Sequence, residues 1–338
     1  MFIRRLFFIL LLVIPTSGFA FDANGIGESV VEGWSSWMRK HNVPAGALVV
    51  AYEGEVVATG EINRSVDDPA KVASLSKAIT AICTLKAAEA NGAAYNSPLS
   101  EVIPAAMAAH PPRDDRFGEI TIGQLINHTS GLQSRYHANE IEKLRTFAKE
   151  NKLWQFSKFS QERLVEAPGS ASYHYNNSNY LALGLVIEEL TGEGYVEYCK
   201  REVLDPAGVT TAQLDEYWTV MSSWGGWKIS AHDYLRFALY YFGPDAVIGQ
   251  PAGTFLPASD IGRGRSYGAG MSYRRTGMGA IQWHRGSWRW NGRIRDNFGA
   301  YMILYDNGFS VSVNYAHDAW ENEIFGELDQ ILWDAVKN

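Results

Sequence analysis

Hydrophobic and polar positions alternate with two different periods along this chain. Over residues 26–40 the apolar positions Val30, Trp34, Trp37 and Met38 fall at helical spacing, and the run ends before Pro44. Residues 46–51 and 56–62 are β-branched or apolar runs joined at Glu53-Gly54, which predicts a β-hairpin. A second helical series, Leu75, Ile79, Ile82 and Leu85, stops near Asn91-Gly92. From residue 93 to about 262 the pattern is mostly helices and long loops, punctuated by Pro98, Pro104, Pro111-Pro112 and Pro168-Gly169. Short aromatic and β-branched runs follow at 268–273, 280–284, 297–305 and 309–315, the last two joined by the turn Asp306-Asn307-Gly308. An amphipathic helix over about 322–336 closes the chain. Strands at both ends and helices between them predict one sheet closed by N- and C-terminal segments, with a mainly helical lobe, roughly 93–262, inserted.

The first twenty residues stand apart. Met1-Phe2-Ile3-Arg4-Arg5 is basic, residues 6–14 are apolar, and small residues at Gly18 and Ala20 follow. This is the pattern of a secretory signal peptide over residues 1–20, cleaved after Ala20, and its apolar core is short for a membrane span. No other stretch approaches a span, so an exported protein, periplasmic or secreted, is expected. The remaining residues, 21–338, suit one large domain or two closely joined lobes. The formal charge of −7, about −9 without Arg4 and Arg5, disfavours nucleic acid as a partner, which wants a basic face. The two cysteines, Cys83 and Cys199, are expected to be separate buried thiols rather than a pair. Neither Cys nor His spacing suggests a metal site, and no cofactor motif is present.

Three short constellations carry chemistry. Ser74-x-x-Lys77 at the head of the second helical series puts both side chains on one face, one turn apart. A serine hydroxyl needs a base within hydrogen-bond reach, and a lysine serves once burial or a cationic neighbour lowers its pKa. On its own this spacing also fits an ordinary helix N-terminus with a solvated lysine. Tyr175-x-Asn177 lies in a loop before a helical stretch, where a phenol near a cation relays protons. Its plain alternative is a packing loop with an Asn cap at Asn177 or Asn179. His284-Arg285-Gly286-Ser287 ends a strand. There His284 would be a polarising or proton-relay group, Gly286 would let a substrate lie against the strand, and the Ser287 N–H would serve with that of Ser74 as an oxyanion hole. On its own the stretch also fits a surface histidine at a strand end.

In that order, Ser-x-x-Lys, Tyr-x-Asn and His-x-Gly resemble the three motifs of the penicillin-recognising serine hydrolases: β-lactamases, DD-peptidases and related esterases. Supporting segments match as well. Val43-Pro44-Ala45-Gly46 is similar to the family's opening, and Ile120 through Leu132 is similar to its "ITIxxLLxHTSGL" signature. Pro168-Gly169 through Gly184 and Trp224 through Asp233 resemble two further segments. The resemblance implies an α+β fold with an antiparallel sheet flanked by helices. It also implies an acyl-enzyme on Ser74, with Lys77 and Tyr175 handling protons. Asn177 and His284 would contact substrate, and the Ser74 and Ser287 N–H groups would stabilise the oxyanion. His284 stands where β-lactamases of this branch carry Lys. His128 reads as a buried, hydrogen-bonded structural residue, and Trp218, Trp224 and Trp227 as core or lobe-interface aromatics.

Two departures bear on substrate. Arg285 replaces the Thr or Ser that helps bind a substrate carboxylate, and either binds one itself or points away along the strand. Residues 288–295, rich in Trp and Arg, either line a pocket or cover the sheet edge. The expected substrate is a small molecule or peptide. A D-alanyl-terminated, peptidoglycan-derived peptide comes first, then an ester or amide, then a β-lactam. A sensor that acylates without turnover is the reading from a different class.

Overall fold

The computed structural model describes residues 21–132, 152–161, 163–214, 219–244, 246, 258–288, 297–317 and 322–337. The signal-like segment 1–20, Trp218 and residues 289–295 of the Trp/Arg-rich stretch lie outside these. Helix α1 (Ala23–Lys40) starts earlier than its apolar spacing predicts, because the Asp22 side chain accepts the Gly25 N–H and caps it. The hairpin β1 (Ala45–Tyr52) and β2 (Glu55–Ile62) forms as expected. After the two-residue β3 (Ala70–Lys71), a 3-10 turn (Ala73–Leu75) leads into α2 (Ser76–Ala90).

The middle of the chain carries α3 (Leu99–Val102), α4 (Pro104–Ala109), α5 (Ile122–Ile126), α6 (Lys152–Phe159), α7 (Asn177–Thr191), α8 (Tyr195–Cys199) and α9 (Ala231–Phe242). Within it, β4 (Gln213–Leu214) and β5 (Trp227–Ile229) join β3 in a small antiparallel sheet. The chain then returns through β6 (Ser259–Gly262), β7 (Arg265–Gly268), β8 (Met271–Arg275), β9 (Ala280–Trp288), β10 (Phe298–Leu304) and β11 (Phe309–Ala316), and ends in α10 (Asn322–Val336). The large sheet is antiparallel, in the order β2-β1-β11-β10-β9-β8-β7-β6, so N- and C-terminal segments meet at the β1–β11 pair. This is the α+β architecture expected, with two corrections of detail. Strand β6 lies inside the stretch assigned to the helical lobe. The run 268–273 is interrupted by a turn at Ala269-Gly270, both at positive φ.

Period-two alternation divides the sheet between two cores. Leu48, Val50, Tyr301, Ile303 and Val313 face Trp34, Trp37, Leu328 and Leu332 of α1 and α10. Ala47, Val49, Ala300, Met302 and Leu304 face α2 and α9. A third core, around Phe117, Ile122, Leu125, Phe156 and Leu181, belongs to the helical lobe. Helix α2 contributes to both of the latter cores, Ile79 and Ile82 to one and Ala81 and Ala88 to the other. That burial on nearly all sides, about 1.5–3 kcal/mol for each large apolar side chain, wedges α2 between sheet and lobe. Its N-terminus therefore sits where the two meet.

The cysteine expectation is overturned. Cys83 on α2 and Cys199 at the end of α8 form a disulfide, with Cα atoms 5.5 Å apart. Their separation of 116 residues hides the pairing from sequence. Among the described residues no helix is long and apolar enough to cross a membrane.

Candidate active site

Ser74 lies on the 3-10 turn rather than inside α2. Ala73 before it has φ +45°, a left-handed conformation that a side chain disfavours by about 1–3 kcal/mol. Neighbouring bonds hold the turn in place. The Val72 N–H donates to the Trp227 carbonyl (3.1 Å), and the Tyr234 hydroxyl donates to the Leu75 carbonyl (2.9 Å). The Trp227 N–H donates to Ser76 Oγ (3.2 Å). On the other side, Gly286 of β9 presses on the turn: a Cβ there would lie 2.0 Å from the Val72 carbonyl oxygen. So Gly286 serves close packing against the nucleophile turn, a need the sequence reading did not foresee.

Lys77 is fully buried, and its Nζ lies 3.2 Å from Ser74 Oγ and 2.8 Å from the Trp224 carbonyl oxygen. No carboxylate pairs with it among the described residues; instead it lies over the rings of Tyr175 (4.9 Å), Tyr180 and Trp224. Desolvation by this apolar and aromatic shell drives its pKa well below the ordinary lysine value. The loop that supplies the Trp224 carbonyl is clamped to α2 a second time, by the Thr80 hydroxyl donating to the Ser223 carbonyl (2.6 Å). Trp224 was expected as a core or lobe-interface aromatic. Its ring is buried as expected, but its backbone oxygen is a working part of the site, a role that no sequence signal carries.

Tyr175 stands beside Lys77, with the Lys77 Nζ over its ring at 4.9 Å. The residue is 38% exposed, yet its hydroxyl faces Ser74, where desolvation pushes the phenol pKa up. The Ser74 contact opposes that shift but does not overcome it, so the group is a neutral phenol near pH 7. Asn177 is the first residue of α7, half-buried, and its Oδ1 has no protein partner. The cap of α7 is neither Asn177 nor Asn179 but Asn176, whose side chain accepts the Ser178 N–H (2.8 Å). His128 lies beneath Tyr175, with ring centroids 4.6 Å apart.

His284, on β9, is buried with Nδ1 unpartnered. Desolvation first, then the nearby Lys77 charge, lower its pKa to about 3, against a backbone hydrogen bond with Gly270. It is therefore uncharged in the folded protein and no electrostatic substitute for a lysine. Gly270, at φ +81°, is where the β7–β8 turn meets the active-site helix: a Cβ there would lie 2.5 Å from Ala78 Cα. Arg285 points the other way, its guanidinium carbon 4.1 Å from the Phe325 ring centroid on α10. That settles the alternative left by the sequence: Arg285 turns away from the pocket. Ser287 is half-buried opposite Gly299 on β10. Strand β8 pairs with β9 only over Ala280–Trp283, leaving β9 from His284 to Trp288 without that neighbour along the site.

The structure thus brings Ser74, Lys77 and Tyr175 together, with His284 joined to Tyr175 through the Tyr267 ring that both contact and Gly286 behind the nucleophile turn. Among the described residues no group of three or more His, Cys, Asp or Glu is placed to hold a metal ion. An amine of lowered pKa within reach of a serine hydroxyl, a phenol beside them and a strand edge that β8 does not cover are the parts needed to deprotonate serine and hold a carbonyl substrate.

Comparison with known proteins agrees. The chain is 26% identical to protein Flp of Staphylococcus aureus over 183 residues, 51% of this chain and 35% of that protein. It thus spans about a third of that relative's length. The crystal structure of SurE with D-Leu superposes with a TM-score of 0.72 at 16% identity, covering 92% of this chain and 76% of the other. A β-lactamase/D-alanine carboxypeptidase from Pseudomonas syringae superposes with a TM-score of 0.71 at 14% identity, covering 93% and 100%. The beta-lactamase family model matches residues 32–320, and on that extent of match the chain belongs to the beta-lactamase family of penicillin-recognising serine hydrolases.

Proposed function

We propose that the protein hydrolyses an amide or ester through an acyl-enzyme on Ser74. The observation that carries this is Lys77: fully buried, unpaired with any described carboxylate, and 3.2 Å from Ser74 Oγ. Burial lowers its pKa, which favours the neutral amine that takes the serine proton. The neutral Tyr175 phenol bridges Ser74 and the leaving group, passing the proton on and later guiding water for deacylation. The N–H groups of Ser74 and Ser287 receive the oxyanion, and Asn177 and His284 offer the substrate hydrogen-bond partners. No metal or cofactor enters this reading.

The first substrate class is a D-alanyl-terminated peptide, cleaved as a carboxypeptidase does. The signal-like start supports this class, since an exported enzyme would meet peptidoglycan. The carboxypeptidase among the structural neighbours supports the same class. A second reading, an esterase or amidase on small uncharged acyl groups, is favoured by one observation. Arg285 is stacked on Phe325 and His284 is uncharged, so neither meets a substrate carboxylate with a positive charge.

Intact-mass spectrometry after brief exposure to benzylpenicillin, with Ser74→Ala alongside, tests the nucleophile. A stable adduct on wild type and none on the variant is the expected result for a peptidase. Drug consumed without adduct identifies a β-lactamase. Drug left intact, with p-nitrophenyl esters cleaved in a Ser74-dependent way, identifies the esterase. Hydrolysis retained in Ser74→Ala removes the assignment.

A further inference from the structure

His128 does more than fill space. Its φ of +59° is one that β-carbon residues rarely adopt, and its side chain is 1% exposed. From this fixed point it grips the segment that carries Tyr175. Its carbonyl accepts the His174 N–H (2.8 Å), and its Nδ1 accepts the Asn176 N–H (3.2 Å). The Asn179 side chain makes a third link. Ser130 Oγ donates to Asn179 Oδ1 (2.5 Å), so the Asn179 amide must donate its Nδ2 hydrogen to His128 Nδ1 (2.9 Å). Two donors on Nδ1 fix the neutral tautomer with hydrogen on Nε2. The ring then packs against four tyrosines, Tyr173, Tyr175, Tyr180 and Tyr267, with centroids 4.6–5.8 Å away.

The Tyr175 side chain is 38% exposed, with Lys77 Nζ over its ring (4.9 Å) and the Tyr267 ring at 6.2 Å. His128 holds the backbone on either side of it, at His174 and Asn176, and packs below the ring. Asn176 has one further hold, its Nδ2 donating to the Leu132 carbonyl (2.8 Å). We propose that His128 is a positioning residue: through Nδ1 and its ring it holds Tyr175 against Ser74, and it acts on the reaction only through that phenol. The inference rests on the reading of Tyr175 as the proton relay.

A double-mutant cycle tests it, with the rate of Ser74 modification by a fluorophosphonate, followed by intact mass, as readout. Tyr175→Phe is expected to slow labelling about 100-fold. His128→Ala, which removes acceptor and ring, is expected to slow it about 30-fold. The double variant should fall within about 3-fold of Tyr175→Phe alone, since a residue acting through the phenol has nothing left to position. In His128→Asn, Oδ1 replaces Nδ1 as acceptor and Asn tolerates the left-handed backbone. It should recover about 10-fold of the loss, and it carries the test if His128→Ala fails to fold. Losses that multiply in the double variant overturn the proposal, as does a folded His128→Asn no faster than Tyr175→Phe. Tyr175→Phe labelled at the wild-type rate removes the relay reading and the proposal with it.

Discussion

At the residue scale, Lys77 sets function against stability. Between its lowered folded pKa and the ordinary 10.5, the unfolded chain holds a proton that the folded chain lacks. The fold therefore gains stability as pH rises through that window and is penalised below it. Lys77→Met removes the penalty, and although it leaves the Trp224 carbonyl without its donor, it should stabilise the protein by about 1–2 kcal/mol at pH 7. The same change should slow Ser74 acylation at least about 100-fold. Urea midpoints at pH 7 and 10 check the pair of effects: wild type should gain on the variant as pH rises, and a variant less stable at both would refute the account. In wild type, acylation should climb with pH through the Lys77 ionisation. His284, already neutral above about 3, should add no inflection near the ordinary histidine value. The side chains proposed to react were picked out in sequence by the family resemblance, because Ser-x-x-Lys and Tyr-x-Asn alone also fit a helix start and a packing loop. The Trp224 carbonyl was not, since any residue carries one and only the fold aims it.

At the scale of elements, the site depends on two places where backbone approaches backbone without a side chain between. Strand β9 meets the nucleophile turn at Gly286, and the β7–β8 turn meets α2 at Gly270. Gly286→Ala would put a carbon 2.0 Å from the Val72 carbonyl oxygen and 3.1 Å from Leu75 Cδ1, so strand and turn must separate. The expected cost is about 1–3 kcal/mol in stability, with acylation at least about 10-fold slower because Ser74 moves with the turn. Gly277→Ala, in open space between β8 and β9, should change neither and serves as the control. Thermal melts and labelling rates on the two variants decide; equal behaviour would mean that β9 does not brace Ser74. These contacts also mark where sequence reasoning stopped. A His-x-Gly spacing names the glycine but not which neighbour needs it small. The Ala269-Gly270 turn was hidden inside an aromatic run, because left-handed φ at Ala269 is imposed by packing rather than announced by Asn or Asp. Periodicity did place α1, the β1–β2 hairpin, β10, β11 and α10, whose apolar positions pack in the cores on either side of the sheet.

For the whole molecule, the decisive feature is that α2 belongs to two cores at once, so sheet and lobe cannot shift without moving Ser74 and Lys77. The Cys83–Cys199 disulfide fastens this arrangement, joining the middle of α2 to α8 across 116 residues of chain that include most of the helical lobe. Linking positions so far apart removes a large share of the unfolded chain's freedom, and for a native disulfide the stabilisation is typically about 2–5 kcal/mol. A buried disulfide also fits an oxidising compartment, the one that the signal-like start predicts. The Cys83→Ala, Cys199→Ala double variant should therefore melt about 5–15 °C lower than the oxidised wild type. Wild type unfolded and reduced before measurement should fall to nearly the same midpoint, which separates loss of the link from loss of two small buried side chains. Thiol titration of the denatured, unreduced wild type should find no free cysteine. Two free thiols there, with a midpoint indifferent to reductant, would restore the separate-thiol expectation. The coupling of sheet to lobe would then rest on α2 packing alone.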